Sequence, residues 1–237
     1  MLKPFRFKQF TVEQDRCAMK IGTDAVLLGA WTSLERNPDS ILDIGAGTGI
    51  IALMLAQRSI AKTVDAIEIN EDAYEQCVEN FEVSDWADRL FCYHTGLDEF
   101  VQEIEEKYDL IVANPPFYLE EVSSGNTSRD NARQNSSLPF DELLEGVSIL
   151  LSIDGLFSTI IPFKEEESFI ALASQSGLFP KRTTRVKGNP SSETKRSLLE
   201  FSLQKKVCEI DELVIEIERH QYTAEYIELT EDFYLRM

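Results

Sequence analysis

Four consecutive residues, Asn114-Pro115-Pro116-Phe117, carry groups suited to chemistry on a planar amino nitrogen. The lone pair of such a nitrogen is delocalised into the adjacent ring or carbonyl, which makes the nitrogen a poor nucleophile. The Asn114 carboxamide oxygen and the Pro115 carbonyl oxygen could accept its two N–H hydrogens and stabilise the charge that develops as it is methylated. The prolines fix two φ angles, and Phe117 could stack on a base. The alternative is a simple strand-terminating turn.

A second motif, Asp43-Ile44-Gly45-Ala46-Gly47-Thr48-Gly49, joins a predicted strand to a predicted helix. Glycines in such a turn let the backbone bend tightly and approach a ligand that a Cβ atom would exclude. The spacing is G-x-G-x-G behind an acidic residue, and it differs from the dinucleotide fingerprint G-x-G-x-x-G. Asp43 would repel a pyrophosphate but could bind an ammonium group, and Glu68 could accept both hydroxyls of a ribose. This pairing favours S-adenosylmethionine over NAD, although such a turn can also serve only helix–sheet packing.

Both motifs lie in an alternating pattern of short apolar runs and helical segments, which indicates βαβ units around a mostly parallel sheet. The expected strands are 41–44, 63–68, 90–93, 109–113 and 155–161, and the expected helices are 48–58, 71–83, 98–106, 140–151, 164–176 and a tail within 222–235. Segments 179–186 and 197–205 have no helix between them and should pair as an antiparallel hairpin. Ligands in open α/β sheets bind outside the carboxyl ends of the strands, where both motifs are placed.

The length of 237 residues and the ordinary hydrophobic fraction of 43% predict one domain over 1–237, with 1–40 as an N-terminal extension that contributes to the site. The chain has no apolar run that could span a bilayer and no signal-peptide core, so we expect a soluble, cytoplasmic protein. Its four cysteines lack the paired spacing of a metal site; we expect reduced thiols and no bound metal.

The formal net charge of −19 argues against general nucleic-acid binding. Two segments, 1–20 and 181–206, are nevertheless basic and could attract a polyanion. For any single charge in them, ordinary solvated surface is the alternative interpretation.

The glycine-rich turn, Glu68 and the Asn114 motif each follow or end a predicted strand. With this arrangement, the chain resembles the class I methyltransferases of adenine N6 and glutamine N5, whose motif is [DNS]-P-P-[YFW]. It is more closely similar to the bacterial tRNA(Val) adenine-N6 methyltransferases, and this similarity covers nearly the whole chain. The segments that carry it are Phe7-Lys8-Gln9-Phe10, Asp15-Arg16-Cys17-Ala18-Met19-Lys20, Gly22-Thr23-Asp24, Leu27-Leu28-Gly29-Ala30-Trp31, Leu53-Met54-Leu55-Ala56-Gln57-Arg58, Asn114-Pro115-Pro116-Phe117-Tyr118 and Phe233-Tyr234-Leu235.

The resemblance implies an α/β, Rossmann-like class I methyltransferase fold: a seven-stranded mixed sheet with an antiparallel C-terminal hairpin and helices on both faces. It implies S-adenosylmethionine in a pocket of Asp43, Gly45, Gly47, Gly49, Glu68 and Asn114, with Lys20, Gly22 and Thr23 over the methionine end. Two positions depart from the family. Phe117 replaces the usual Tyr, and Leu97 stands where an Asp tends to bind the cofactor's adenine, so Asp98 is the candidate substitute.

The resemblance also implies methylation of the adenine at position 37, next to the anticodon, with the tRNA anticodon stem-loop as partner and no membrane or obligatory protein partner. The candidate tRNA-binding residues are Lys8, Arg16, Arg129, Arg133, Lys195 and Arg196. Three alternatives stay open. A protein-glutamine N5-methyltransferase is disfavoured because only about 40 residues precede the first strand, and a DNA adenine methyltransferase because no sizeable recognition domain is present. A non-catalytic S-adenosylmethionine- or RNA-binding protein is the third.

Overall fold

The computed structural model describes residues 3–116 and 138–237, and most of its strands belong to a single sheet. The strands are β1 (Phe5–Arg6), β2 (Thr11–Val12), β3 (Ser40–Ile44), β4 (Thr63–Glu68), β5 (Leu90–His94), β6 (Tyr108–Ala113), β7 (Leu151–Pro162), β8 (Phe179–Lys187), β9 (Thr194–Ser202), β10 (Glu209–Val214), β11 (Glu216–Glu218) and β12 (Gln221–Tyr222). The helices are α1 (Thr23–Trp31), α2 (Ile50–Arg58), α3 (Glu71–Glu82), α4 (Leu97–Glu103), α5 (Phe140–Leu150), α6 (Glu166–Gln175) and α7 (Ala224–Thr230), with a 3₁₀ turn at Phe163–Glu165.

The central sheet has the strand order β10-β8-β9-β7-β6-β3-β4-β5. The five neighbouring strands β7, β6, β3, β4 and β5 are parallel to one another. Strand β9 is antiparallel to both β7 and β8. Strands β4 and β5, which follow β3 in the chain, lie on one side of β3 in the sheet. Strands β6 and β7 lie on its other side. The strand order therefore reverses between β3 and β6, where Ile44 pairs with Ala113. A crevice at such a switch point is the usual ligand site of an open α/β sheet.

The mixed sheet and its antiparallel hairpin β8–β9 are confirmed, but the described residues form a sheet of eight strands where seven were expected. The additional strand, β10, pairs in parallel with β8. Its sequence, Glu-Ile-Asp-Glu-Leu-Val, is acidic, and its first four residues are exposed. An exposed edge strand of this kind lacks the apolar run by which a buried strand is predicted, because only one side of it is covered.

The sheet separates two hydrophobic cores. On one face, α1, α2, α3 and α7 contribute side chains such as Leu27, Leu53, Phe81 and Tyr226. On the other face, α4, α5 and α6 bury a second set, of which Phe169 is fully enclosed. The layered α/β arrangement follows from covering both faces of a largely parallel sheet.

Helix α1 lies within the segment expected to be an N-terminal extension, and every residue from Ala25 to Trp31 is buried. A helix that is apolar on all sides shows no 3.6-residue period, so its sequence pattern does not predict it. Gly29 permits its close approach to α2, because a Cβ atom there would lie 2.7 Å from the Met54 sulfur. Among the helices that residues 3–116 and 138–237 form, none is long and apolar enough to cross a membrane.

The chain ahead of α1 is held against α3 by two buried amide side chains. Asn80 accepts a hydrogen bond from the Glu13 N–H (2.8 Å) and donates to the carbonyl oxygens of Glu13 (3.0 Å) and Thr48 (2.9 Å). Gln76 accepts from the Arg16 N–H (2.9 Å). Because Thr48 belongs to the glycine-rich turn, Asn80 joins the N-terminal segment, α3 and that turn.

Candidate active site

The turn after β3 adopts a backbone that requires glycine. Gly45, Gly47 and Gly49 have φ angles of 71°, 56° and 76°, in the left-handed region that side chains disfavour. A Cβ atom at Gly45 or Gly47 would meet nothing within 4 Å, whereas one at Gly49 would lie 2.5 Å from the Phe81 ring. Gly45 and Gly47 therefore border open space suited to a ligand, and Gly49 serves the packing of the turn on α3.

Asp43 lies beneath this turn and is 1% exposed. Its Oδ2 accepts a hydrogen bond from the Ala52 N–H in α2 (3.1 Å), while its Oδ1 has no hydrogen-bond partner among the described residues. Burial, with a smaller contribution from the charge of Glu68, raises the pKa of Asp43 to about 7. A cationic donor near Oδ1 would compensate the buried charge, which fits the ammonium group of S-adenosylmethionine.

Glu68 ends β4 and binds the glycine turn directly. Its Oε2 accepts the Gly47 N–H (2.9 Å), and its Oε1 accepts the Asn70 N–H (2.8 Å), just ahead of α3. An ionised carboxylate has about four acceptor positions, so two remain for donors such as ribose hydroxyls. Glu68 is half-buried, which leaves room for that contact.

Asn114, Pro115 and Pro116 leave β6 beside this turn, because Ala113 pairs with Ile44. Asn114 and Pro116 are half-buried and Pro115 is buried. The structure therefore brings the two motifs together at the carboxyl edge of the sheet. Phe117 lies outside the described residues, and its stacking on a base stays a prediction.

The end of β5 and the start of α4 show where the candidate adenine contact lies. Leu97 is buried against α5, where a Cβ atom at Gly146 would come within 2.7 Å of it. Asp98 is exposed in the first turn of α4, so a ligand can reach it. The neighbouring Ile69 is 57% exposed and offers an apolar face to a flat ring. The sequence analysis did not name Ile69 as a site residue, although its position directly after Glu68 at the end of a strand could have indicated it.

The segment predicted over the methionine end of the cofactor is exposed at Lys20, Gly22 and Thr23. Helix α1 begins there, and Asp24 in its first turn pairs with Arg196 of β9 at 2.8 Å. Cys17, nearby in the chain, was not expected at the site. Burial raises the pKa of its thiol to about 12, and the nearby charge of the Glu68 carboxylate contributes to the rise.

Acidic partners neutralise most of the basic residues in 181–206. The pairs are Lys181 and Arg182 with Glu200, Arg185 with Glu166, Lys187 with Glu212, and Arg196 with Asp24. Of the N-terminal candidates, Arg16 pairs with Glu75 and Glu79, whereas the exposed Lys8 donates only to the Glu231 backbone carbonyl oxygen.

Lys195 is exposed at the start of β9, on the same edge as Asn114. Arg129 and Arg133 lie outside the described residues. The assignment of these residues to tRNA binding stays a prediction.

Comparisons with known proteins show which family the chain resembles. The family model "Methyltransferase small domain" matches residues 20–133. A protein of Flavobacterium psychrophilum is 62% identical over 233 residues, which cover 98% of this chain and 100% of its own length. A protein of Bacteroides fragilis strain ATCC 25285 is 45% identical over 234 residues, 98% of each chain. Both are named tRNA1(Val) (adenine(37)-N6)-methyltransferase.

Solved structures agree with the fold. A protein of Agrobacterium tumefaciens described as a predicted O-methyltransferase superposes with a TM-score of 0.66 at 20% identity and covers 89% of this chain and 96% of its own. A ribosomal protein L11 methylase of Lactobacillus delbrueckii has a TM-score of 0.53 at 19% identity and covers 75% and 76%. The class I methyltransferase fold is thereby confirmed.

Proposed function

This chain belongs to the tRNA1(Val) (adenine(37)-N6)-methyltransferase family, and we propose that it methylates the N6 amino group of adenine 37 in that tRNA with S-adenosylmethionine as donor. The observation that carries the proposal is the juxtaposition of Asn114-Pro115-Pro116 with the glycine turn at the switch point of the sheet. It places acceptors for a planar amino group beside a pocket that fits the donor.

Asp43, Glu68 and the glycine turn hold and orient the cofactor in this proposal. When bound, S-adenosylmethionine supplies an electrophilic methyl group. Glu68 accepts the ribose hydroxyls, and the unpartnered Oδ1 of Asp43 complements the positive charge of the amino-acid moiety. Gly45 and Gly47 admit the ligand because they carry no side chain. Asp98 accepts the adenine amino group, and the segment at Lys20, Gly22 and Thr23 covers the methionine end.

Asn114 and Pro115 act on the acceptor nitrogen. Their oxygens accept the two N6 hydrogens and reduce the conjugation of the lone pair with the ring, so that it can attack the methyl carbon. The nitrogen would take the methyl group that the cofactor supplies, Asn114 and Pro115 would stabilise the positive charge that develops on it, and one N6 proton would then leave to solvent. Pro115 and Pro116 restrict the backbone, which keeps the carbonyl oxygen aimed while the charge develops.

Radiolabelled cofactor tests the assignment. The protein is incubated separately with unmodified tRNA1(Val), with the same tRNA carrying guanine at position 37, and with a release-factor protein. We expect label in the first sample alone. Label confined to the release factor would replace the proposal with the glutamine N5 reaction, and label in both RNAs would refute position 37 as the acceptor.

The proposal extends to the setting of the reaction. We place the enzyme in the cytoplasm, acting as a single domain over 1–237 without an obligatory protein partner. The tRNA substrate named for its relatives supports this location. A purified, single-species preparation that methylates tRNA without added protein would bear out the last point, and a strict requirement for a second protein would contradict it.

A further inference from the structure

Phe163 lies beside the Asn114 motif, at the carboxyl end of the neighbouring strand. Ala113 of β6 pairs with Thr159 of β7, so counting three residues onward places Pro116 level with Pro162. Phe163 comes directly after Pro162 and begins the 3₁₀ turn. Phe163 therefore lies at the edge of the sheet where, under the proposed function, the substrate amino group binds.

The Phe163 ring is 38% exposed, unlike the other phenylalanines on this side of the sheet. Phe157, Phe169 and Phe201 are each fully buried. The guanidinium carbon of Arg185 lies over the Phe163 ring, 5.4 Å from its centroid. Lys164 is the next residue; its side chain is 54% exposed, and its Nζ lies 3.5 Å from Oε1 of the partly exposed Glu165. Both cations are paired with carboxylates, so the exposed aromatic ring is the main feature offered to a ligand, and aromatic rings beside basic side chains are how proteins commonly bind single-stranded nucleic acid.

A buried carboxylate holds Arg185 in this position. Glu166, 8% exposed, accepts hydrogen bonds from Arg185 Nη2 (2.7 Å) and Nε (3.2 Å). The hydroxyl of Ser197, which is fully buried, donates to the other oxygen of Glu166. Two N–H groups bound to one carboxylate restrict the guanidinium plane, so the surface formed with Phe163 is preorganised.

We infer that Phe163, with Arg185 above it, is a stacking platform for an unpaired nucleobase that flanks the target adenine, and that Lys164 contacts the adjoining phosphate. This inference rests on the proposed function. A target base must leave its neighbours to reach the methyl group, and an aromatic or guanidinium plane compensates the stacking that the loop then loses. Glu166 and Ser197 are positioning residues for Arg185.

Phe163→Ala tests the platform, with Phe163→Tyr to restore the ring. We expect Phe163→Ala to raise the KM for tRNA about tenfold, the size of one lost base stack, with the Kd for S-adenosylmethionine unchanged. Phe163→Tyr should restore the wild-type KM. The matched control is Phe91→Ala, since Phe91 is 43% exposed on the edge strand β5, four strands away from β7.

A spectroscopic signature distinguishes stacking from a packing role. An anticodon stem-loop carrying 2-aminopurine on either side of the target adenine should show quenched fluorescence with the wild-type protein and brighter fluorescence with Phe163→Ala. Equal KM and fluorescence for Phe163→Ala and Phe91→Ala would overturn the inference, as would a lower melting temperature with no change in KM. If the wild-type protein fails to methylate tRNA, the proposed function itself is wrong, and this outcome is distinguishable from the others.

Discussion

At the scale of single residues, we propose that Asn114 acts on the methyl acceptor and Asp43 on the cofactor. Asn114 is half-buried at the end of β6, where an acceptor amino group can reach it. Asp43 is buried below the glycine turn and has one oxygen without a partner in the described structure. Substitution of the two should therefore separate transition-state effects from cofactor effects.

Asn114→Ala should lower kcat by roughly 100- to 1000-fold, because it removes an acceptor whose interaction strengthens as charge develops on the nitrogen. The Kd for S-adenosylmethionine should stay within about tenfold of wild type. Single-turnover methylation measures the first quantity and calorimetry the second. Asn189→Ala, in the exposed turn between β8 and β9, is the control and should change neither. A loss of cofactor binding as large as the loss of rate would contradict this division of roles.

Asp43 should make the stability of the cofactor-free protein depend on pH. Its pKa is about 7 in the folded state against an ordinary value of 3.8, so the folded protein binds the extra proton between these values. The contribution of Asp43 to the free energy of unfolding is fully present at low pH and is lost as the pH rises towards 7. Urea unfolding at about pH 5 and about pH 8 should show this loss in wild type and a smaller one in Asp43→Asn.

The exposed Asp98 supplies the comparison for that experiment. Asp98→Asn removes a carboxyl group at the surface of α4 and should retain the pH dependence of the wild-type protein. If the unfolding free energies of Asp43→Asn and Asp98→Asn depended on pH in the same way, the pKa of the buried Asp43 would not be raised to about 7.

At the scale of elements, the turn between β3 and α2 faces open space on one side and packs against a helix on the other. Gly47 borders open space, whereas Gly49 is packed against Phe81 and Cys77 of α3. Both glycines have positive φ, so an alanine at either position meets similar backbone strain. The difference between two such variants isolates the side-chain environment.

Gly49→Ala should destabilise the protein by about 1–3 kcal/mol more than Gly47→Ala, because the new methyl group overpacks the contact with α3. Gly47→Ala should instead weaken binding of S-adenosylmethionine more strongly, since its methyl group enters the ligand space. Urea unfolding and calorimetry on both variants measure the two effects. Equal losses of unfolding free energy would contradict the separate roles of the two glycines.

At the scale of the whole molecule, electrostatics restricts how tRNA can approach. The chain has a net charge of −19, and intramolecular ion pairs occupy most of the basic residues in 181–206. If tRNA binds beside Asn114, as proposed, the exposed cations at the carboxyl edge of the sheet are the ones it would meet. Lys195, at the start of β9, lies at that edge, and Lys205, after the end of β9, lies at the opposite one.

Lys195→Ala should reduce the dependence of log Kd for tRNA on log salt concentration by about 0.7, the value for one phosphate contact to a single strand. Lys205→Ala removes the same charge at the far edge and should leave the slope unchanged. Filter binding across a salt series measures both. Equal slopes for the two variants would show that Lys195 makes no phosphate contact.

The sequence by itself determined the βαβ order, the hairpin β8–β9, and the assignment of Asp43, Glu68 and Asn114 to strand ends. These features are encoded locally, because the spacing of apolar residues reflects which side of a strand or helix is buried, and a glycine-rich turn follows from its own backbone. The strand predicted at 63–68 coincides with β4, and the helix predicted at 71–83 ends one residue beyond α3.

Only the tertiary structure decided which charges neutralise each other and which rings stay open. Arg196 pairs with Asp24, 172 residues away in the chain, and Phe163 comes beside the Asn114 motif through the pairing of β6 with β7. Helix α1 and strand β10 lack a clear period because one is buried on every side and the other is mostly exposed. Such features depend on contacts between distant segments, which no local pattern of residues records.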